Sequence, residues 1–228
     1  MGQDNGFFGQ RDPTTEGSDW NALRFVVQQA LNQIQTMTLV RVVAVSNAGG
    51  VEPVGTVDVQ PLVNQITGDR VAVPHGVVYG LPYFRLQGGA NAIILDPQVG
   101  DIGICGFANR DISSVKASKA EANPGSFRTF DFADGLYVGG VLNGTPAQYV
   151  QFNASGIAVT TPGTVVVNAS AATINASTTI NGNLTVSGTI GAGGKISAPS
   201  VNIAGIEFGT HKHTGVATGG SNTGGPTS

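Results

Sequence analysis

This 228-residue sequence has unusually few charged residues. Asp, Glu, Lys and Arg make up 11% of it, less than half of their usual share of about 25%. The shortage is greatest toward the C-terminus, because residues 135–228 contain only Lys195, Glu207 and Lys212 of these four types. The formal net charge is −3. Proteins that bind nucleic acid concentrate Lys and Arg on one face, so we expect no nucleic-acid partner.

Cysteine and long apolar runs are also scarce. The single cysteine, Cys105, cannot form a disulfide within the chain, which excludes a small secreted fold held together by disulfides. No apolar run reaches the about 20 residues of a membrane-spanning helix. The first residues lack the basic start and apolar core of a secretory signal. We therefore expect synthesis in the cytosol.

The residues that are abundant indicate short strands and tight turns. Glycine occurs 34 times without the Gly-X-Y period of collagen. Disordered chains combine high net charge with few β-branched residues, whereas this sequence is rich in Val, Ile and Thr. We therefore predict an all-β fold with one N-terminal helix.

The N-terminal segment, residues 1–37, is predicted to form an arm followed by that helix. Ser18 and Asp19 can cap a helix start, and apolar residues then recur at helical spacing over about 19–36. The stripe consists of Trp20, Leu23, Val27, Ala30 or Leu31, and Ile34. Two interpretations stay open: the helix packs on its own domain, or it packs on a neighbouring copy.

Residues 38–115 are predicted to form a small antiparallel barrel. From Thr38 the apolar period changes to two, and about five short strands follow with no helix between them. The leading candidate is the OB type, a five-stranded and partly open barrel. Residues 116–149 contain more charge and Pro124-Gly125, and we interpret them as a connector.

Residues 150–208 are predicted to form a shaft. Short apolar clusters such as Ile157/Val159 and Leu184/Val186 alternate with Thr, Ser and Asn, and Gly, Asn or Pro separate the clusters. Strands of three to six residues cannot bury an apolar face within one chain. No fixed repeat length is present, which argues against a single-chain β-helix. Three intertwined chains forming a triangular β-prism would solve the problem, because symmetry then fixes the register.

The strongest chemical signal is the pair His211 and His213, in a C-terminal segment (209–228) interpreted as a small apex. Residues i and i+2 of an extended strand point to the same side, so three chains around an axis could supply six imidazole nitrogens. Six ligands disfavour structural Zn²⁺, which prefers four, and imidazole also suits iron. The simpler alternative is a solvated His-x-His in a tail.

The other candidate residues have simpler structural explanations. His75 is expected in a turn, and Cys105 is expected to be a small buried side chain. The pairs Asp96/Asp101 and Asp131/Asp134 are expected to be solvated loop charges rather than catalytic carboxylates. We therefore expect no enzymatic activity and no small-molecule substrate.

The sequence resembles the central spikes of contractile phage tails, the baseplate assembly protein V family, with an OB region most similar to the Gp138-type N-terminal domain. Three features carry the resemblance: Phe107–Ile112, the charge-poor shaft, and Thr210–Val216 followed by a Gly/Thr/Pro-rich end. The resemblance implies a homotrimer whose six histidines, His211 and His213 of each chain, bind one iron ion at the apex. It also implies a virion protein that docks to the baseplate hub and pierces the host outer membrane when the sheath contracts. Members of this family can carry calcium and chloride in the shaft, for which we assign no residues.

Two other classes of protein remain as alternatives. A trimeric tail-fibre or adhesin module that binds a host-surface glycan would expose aromatic residues at its tip, whereas Phe208 is the last aromatic residue here. A polysaccharide-degrading β-helix would need a groove lined with carboxylates, and Glu207 is the only acidic residue after Asp134. Both features favour the spike.

Overall fold

The computed structural model of the chain describes residues 17–66, 71–207 and 215. The chain divides into two compact units, with the boundary between Thr164 and Val165. Most of the regular structure is β, which confirms the predicted fold class. In the described part of the chain, neither helix is long and apolar enough to cross a membrane.

Helix α1, Asp19–Leu31, begins where the capping residues predict. The Ser18 side chain accepts a hydrogen bond from the backbone N–H of Asn21, at 3.3 Å. The helix ends at Leu31, about one turn earlier than predicted. None of its residues is buried by the described part of the chain, so these residues do not support the interpretation that α1 packs on its own domain.

A five-stranded antiparallel sheet contains the core of the first unit. The strands up to residue 140 are β1 (Met37–Val45), β2 (Thr56–Pro61), β3 (Gln65–Ile66), β4 (Ala72–Val73), β5 (Val78–Pro82), β6 (Leu86–Gly88), β7 (Asn91–Ile93), β8 (Ile102–Phe107) and β9 (Gly135–Gly140). The strand order in the five-stranded sheet is β5-β2-β1-β8-β9. The other four strands form two hairpins, β3–β4 and β6–β7, in the connections.

The sheet curls so that its two edges approach each other. A parallel bridge joins Tyr83, just after β5, to Tyr137 in β9, and the backbone N–H of Phe84 donates to the carbonyl oxygen of Tyr137 at 2.7 Å. The result is a curled half-barrel, compatible with the predicted five-stranded, partly open barrel. Its assignment to the OB type stays a prediction.

The barrel core comes from alternate residues of these strands. Burial of every second residue is what a sheet with one buried face requires, and it explains the period-two pattern after Thr38. The buried apolar residues are Val40, Val42, Val57, Val59, Leu81, Tyr83, Cys105 and Tyr137.

Strand β9 corrects one part of the sequence interpretation. It lies inside residues 116–149, which we interpreted as a connector, yet it pairs with β8 from Phe107↔Gly135 to Gly103↔Gly140. Its three glycines and single buried aromatic residue, Tyr137, gave only a weak period-two signal. The domain boundaries predicted from the sequence stay predictions.

The segments outside this sheet are short. Helix α2 spans Ser113–Ser118, a 3₁₀ turn spans Phe132–Asp134, and strands β10 (Tyr149–Asn153) and β11 (Gly156–Thr160) form a hairpin. Residues 165–201 contain no assigned strand, and β12 (Asn202–Ile203) pairs with β13 (Ile206–Glu207). The apolar residues of 165–207 are exposed, so the triangular prism stays a prediction about three chains.

Candidate metal centre at the C-terminal end

The last described element before the histidine pair is the β12–β13 hairpin. Its two-residue turn has positive φ at Ala204 (49°) and Gly205 (85°), the combination that a type I′ turn requires. The Asn202 side-chain oxygen accepts a hydrogen bond from the backbone N–H of Gly205, at 3.0 Å. The hairpin thus reverses the chain shortly before the histidine pair.

The predicted metal ligands, His211 and His213, lie outside the described residues, so their proposed role stays a prediction. Among residues 17–66, 71–207 and 215, no group of three or more His, Cys, Asp or Glu side chains could hold a metal ion. The third histidine, His75, lies with its ring 5.0 Å from the Phe132 ring. Its backbone carbonyl accepts a hydrogen bond from Gln60, which fits the structural role expected for it.

The expectation that Asp134 is a solvated loop charge is wrong. Its side chain is fully buried, and it accepts hydrogen bonds from Arg128 Nε at 2.7 Å, Arg128 Nη2 at 2.8 Å and the backbone N–H of Ile112 at 3.0 Å. The hydrogen bonds from Arg128 lower the pKa of Asp134 despite burial, which acts in the opposite direction. Asp131, by contrast, is exposed.

Asp111 is the second carboxylate of the same cluster. Arg128 Nη2 lies 2.9 Å from its Oδ1, and the Ser126 hydroxyl donates to its Oδ2 at 2.7 Å. Hydrogen bonds from the Ser113 side chain and backbone, and then from Ser126, lower the pKa of Asp111 to about 2. Arg128 therefore ties the segment after β8 to the segment before β9, and the cluster is a structural clamp.

Asp96, which was also expected to be a solvated loop charge, is buried as well. Its Oδ1 lies 2.6 Å from Arg85 Nη2, and both side chains are almost fully inaccessible to solvent. Burial acts to raise the pKa of Asp96, but hydrogen bonds with Arg85 and Tyr83 outweigh it and the pKa falls. Arg85 also donates to the backbone carbonyl of Glu52. A carboxylate neutralised by a buried guanidinium is poorly suited to proton transfer, since its pKa is far from neutral.

Cys105 is a core residue, as the sequence predicted. It lies in β8, the strand between β1 and β9, with its side chain buried in the core, and burial raises the pKa of the thiol to about 12. A nucleophilic cysteine requires a lowered pKa, so this thiol is inert.

Comparison with known families adds a match at the C-terminus. Residues 205–227, about a tenth of the chain, match the model of the GpV Apex motif. The match begins in the turn of the β12–β13 hairpin and includes both histidines of the sequence-predicted site. No curated protein matches the chain. The Apex match, at the end of a chain with a β-rich fold, supports the assignment of this protein to the phage baseplate spike (GpV) family.

Proposed function

We propose that this protein is the central spike of a contractile phage tail baseplate, and that sheath contraction drives it through the host outer membrane. The observation that carries the proposal is the Apex match over residues 205–227. The match lies within residues 135–228, which contain almost no charge, and this is consistent with a shaft that crosses a membrane. In this role the protein resides in the virion, at the tip of the baseplate, and docks to the hub.

Threefold assembly is supported by the apolar residues of the second unit. A single chain leaves Val167, Ile174 and Ile196 exposed by 74%, 70% and 69%. Monomeric proteins rarely expose contiguous apolar surface of this extent. Three intertwined chains would cover these side chains and leave no free sheet edge, which also protects the shaft from aggregation.

The donor set at the apex fits a structural metal. His211 and His213 of three chains would provide six imidazoles and no carboxylate, which suits an octahedral iron ion better than four-coordinate zinc. A shell of six protein ligands leaves no open position, and a catalytic metal needs one. The metal would tie three chain ends together where fraying would begin.

The mechanics agree with this assignment. A puncturing device needs stiffness and a narrow tip, and intertwined strands bend only when many backbone hydrogen bonds break together. The ionisable clusters on Arg85 and Arg128 are clamps within the first unit and provide no catalytic constellation. A structural role therefore accounts for the described residues without invoking an activity.

The decisive experiment measures mass in solution and metal content together. We expect a trimer with one iron per three chains, and loss of that metal in the variant His211→Ala, His213→Ala. Lys212→Ala is the matched control, because it changes the residue between the histidines and should keep the metal. A monomer, or a trimer that retains its metal without both histidines, would overturn the proposal for the apex. A metal-free trimer that binds a surface glycan would instead favour the fibre alternative.

The piercing step needs its own test in virions. Phage carrying the double histidine variant should assemble and adsorb, but outer-membrane permeabilisation after sheath contraction should fall. Unchanged permeabilisation would show that piercing does not depend on the metal at the apex.

A further inference from the structure

Helix α1 presents an apolar face that the described part of its own chain leaves uncovered. Trp20, Leu23 and Val27 are exposed by 70%, 57% and 49%. An isolated helix of 13 residues is only marginally stable in water, so most helices of this length depend on packing. A well-capped helix with an uncovered apolar face therefore indicates a packing partner outside the described residues.

The spacing of the apolar residues identifies the kind of partner. Trp20, Leu23, Val27 and Ala30 follow one another at intervals of three, four and three residues. These are the a and d positions of a heptad, and this period is typical of helices that pack along one another in a coiled coil. Gln28 and Gln29 lie on the opposite, polar face. The pattern favours another helix of the same kind rather than a sheet or a flat surface.

The two charged residues of α1 favour a partner helix that runs in the same direction. With Trp20 at a, Asp19 occupies the preceding g position and Arg24 the e position five residues later, and both side chains are exposed. In parallel helices, residues at g face residues at e of the next heptad on the neighbour. Parallel copies in register thus bring Asp19 of one helix close to Arg24 of its neighbour, which pairs opposite charges. Antiparallel copies would place Asp19 near the uncharged opposite end of the neighbouring helix, without this pairing.

We propose that α1 forms a parallel, in-register three-helix bundle with the α1 helices of two further copies of this chain. The number three rests on the proposed spike function. Two heptads alone make a weak coiled coil, but tethering to chains that already associate gives the helices a high effective concentration. Phe25, on the outer face, is already half-buried and is not part of the contact.

Trp20 provides a direct measurement, because it is the single tryptophan of the chain. In the full-length protein we expect blue-shifted emission and weak quenching by acrylamide. The Val27→Asp variant should shift the emission to longer wavelength and raise the quenching constant several-fold. The matched control is Gln28→Asp, which places the same residue one position away on the polar face and should change neither value.

Cross-linking tests the orientation. With a short bismaleimide reagent, Ala30→Cys should give covalent oligomers, because position 30 lies opposite its own copies only in a parallel, in-register bundle. Gln28→Cys, on the polar face, should give far fewer. The native Cys105 should not react, since it is fully buried.

The outcomes separate this inference from the function on which it rests. A trimer with Trp20 shielded in the wild type and exposed in Val27→Asp supports the bundle. A trimer in which Trp20 is exposed, or stays shielded in Val27→Asp, overturns the bundle and leaves the spike intact. A monomer overturns both.

Discussion

Ile174→Ala gives a sharp test of the proposed three-chain shaft, because the expected change in the free energy of unfolding is small for a single chain and large for a packed trimer. Ile174 is 70% exposed in the single chain. If the chain acts alone, alanine there changes the free energy of unfolding by no more than about 0.5 kcal/mol, as at other surface positions. Covering the exposed part of an isoleucine contributes about 1–2 kcal/mol, and the cavity left in a packed shaft raises the cost of truncation to about 2–5 kcal/mol per chain.

The assay is thermal unfolding combined with sedimentation, at fixed protein concentration because association makes the transition concentration-dependent. Three copies acting independently would lower the stability of a trimer by about 6–15 kcal/mol. Thr173→Ala, at the adjacent position and on the opposite face of the proposed strand, is the matched control and should have little effect. Leu81→Ala, in the barrel core, should destabilise the first unit whether or not the chain assembles. If Ile174→Ala melts like Thr173→Ala, the reasoning that the second unit buries its apolar face between chains is refuted.

Three further predictions concern the first unit. Gly103→Ala should lower the free energy of unfolding, measured by calorimetry, by about 1–3 kcal/mol, because a Cβ at this position would collide with β9. Gly106→Ala is the control and should be tolerated, because the nearest atom to a Cβ there is 3.9 Å away. Asp134→Asn removes one of the two buried carboxylates that pair with Arg128, leaving Asp111, and should cost about 3 kcal/mol in urea unfolding, at the low end for a buried ion pair because Arg128 is 36% exposed. An unchanged midpoint would contradict the clamp. Folding lowers the pKa of Asp111 to about 2, below its unfolded value of about 3.9. The stability that ionised Asp111 contributes is therefore complete above a pH of about 3.9 and is lost as the pH falls toward 2. In acid titration, Asp111→Asn should therefore lose less stability over this pH range than the wild type.

The barrel strands were predictable where the sequence alternates without interruption. Strand β1 begins at Met37, one residue before Thr38, where the apolar period changes to two, and β8 (Ile102–Phe107) shows the same alternation of apolar residues. In both, apolar residues on one face meet a clear turn signal at an end. Strand β9 was not predicted, because three of its six residues are glycine and only Tyr137 provides a large buried side chain. Pairing with β8 creates that strand, and pairing is not visible in a local pattern.

The candidate sites also differ in whether a local sequence pattern reveals them. The histidine pair was recognisable because its two members are two residues apart, so local spacing alone brings them to one face. The clamp on Arg128 was not recognisable, because its carboxylates come from two segments 23 residues apart, Asp111 and Asp134. Local composition indicated a charged connector, whereas the fold brings opposite charges together in a buried cluster. Asp96 was misjudged for the same reason, since its partner Arg85 lies across the β6–β7 hairpin.

The proposed three-chain shaft of short strands would have a problem of register, which the proposed α1 bundle and metal site would solve. A one-residue slip in a strand moves its apolar side chains to the opposite face, and uncharged Thr, Ser and Asn residues do little to oppose such a slip. Residues 165–201 contain one charged residue, Lys195, so charge pairing there cannot align three chains. Alignment must come from outside this segment. In the proposed trimer, the α1 bundle would specify one register on the N-terminal side, with Asp19 near Arg24 of the neighbouring helix. A metal bound by His211 and His213 of all three chains would specify one on the C-terminal side. The concentration of specific chemistry at the ends is therefore what a shaft of this composition needs.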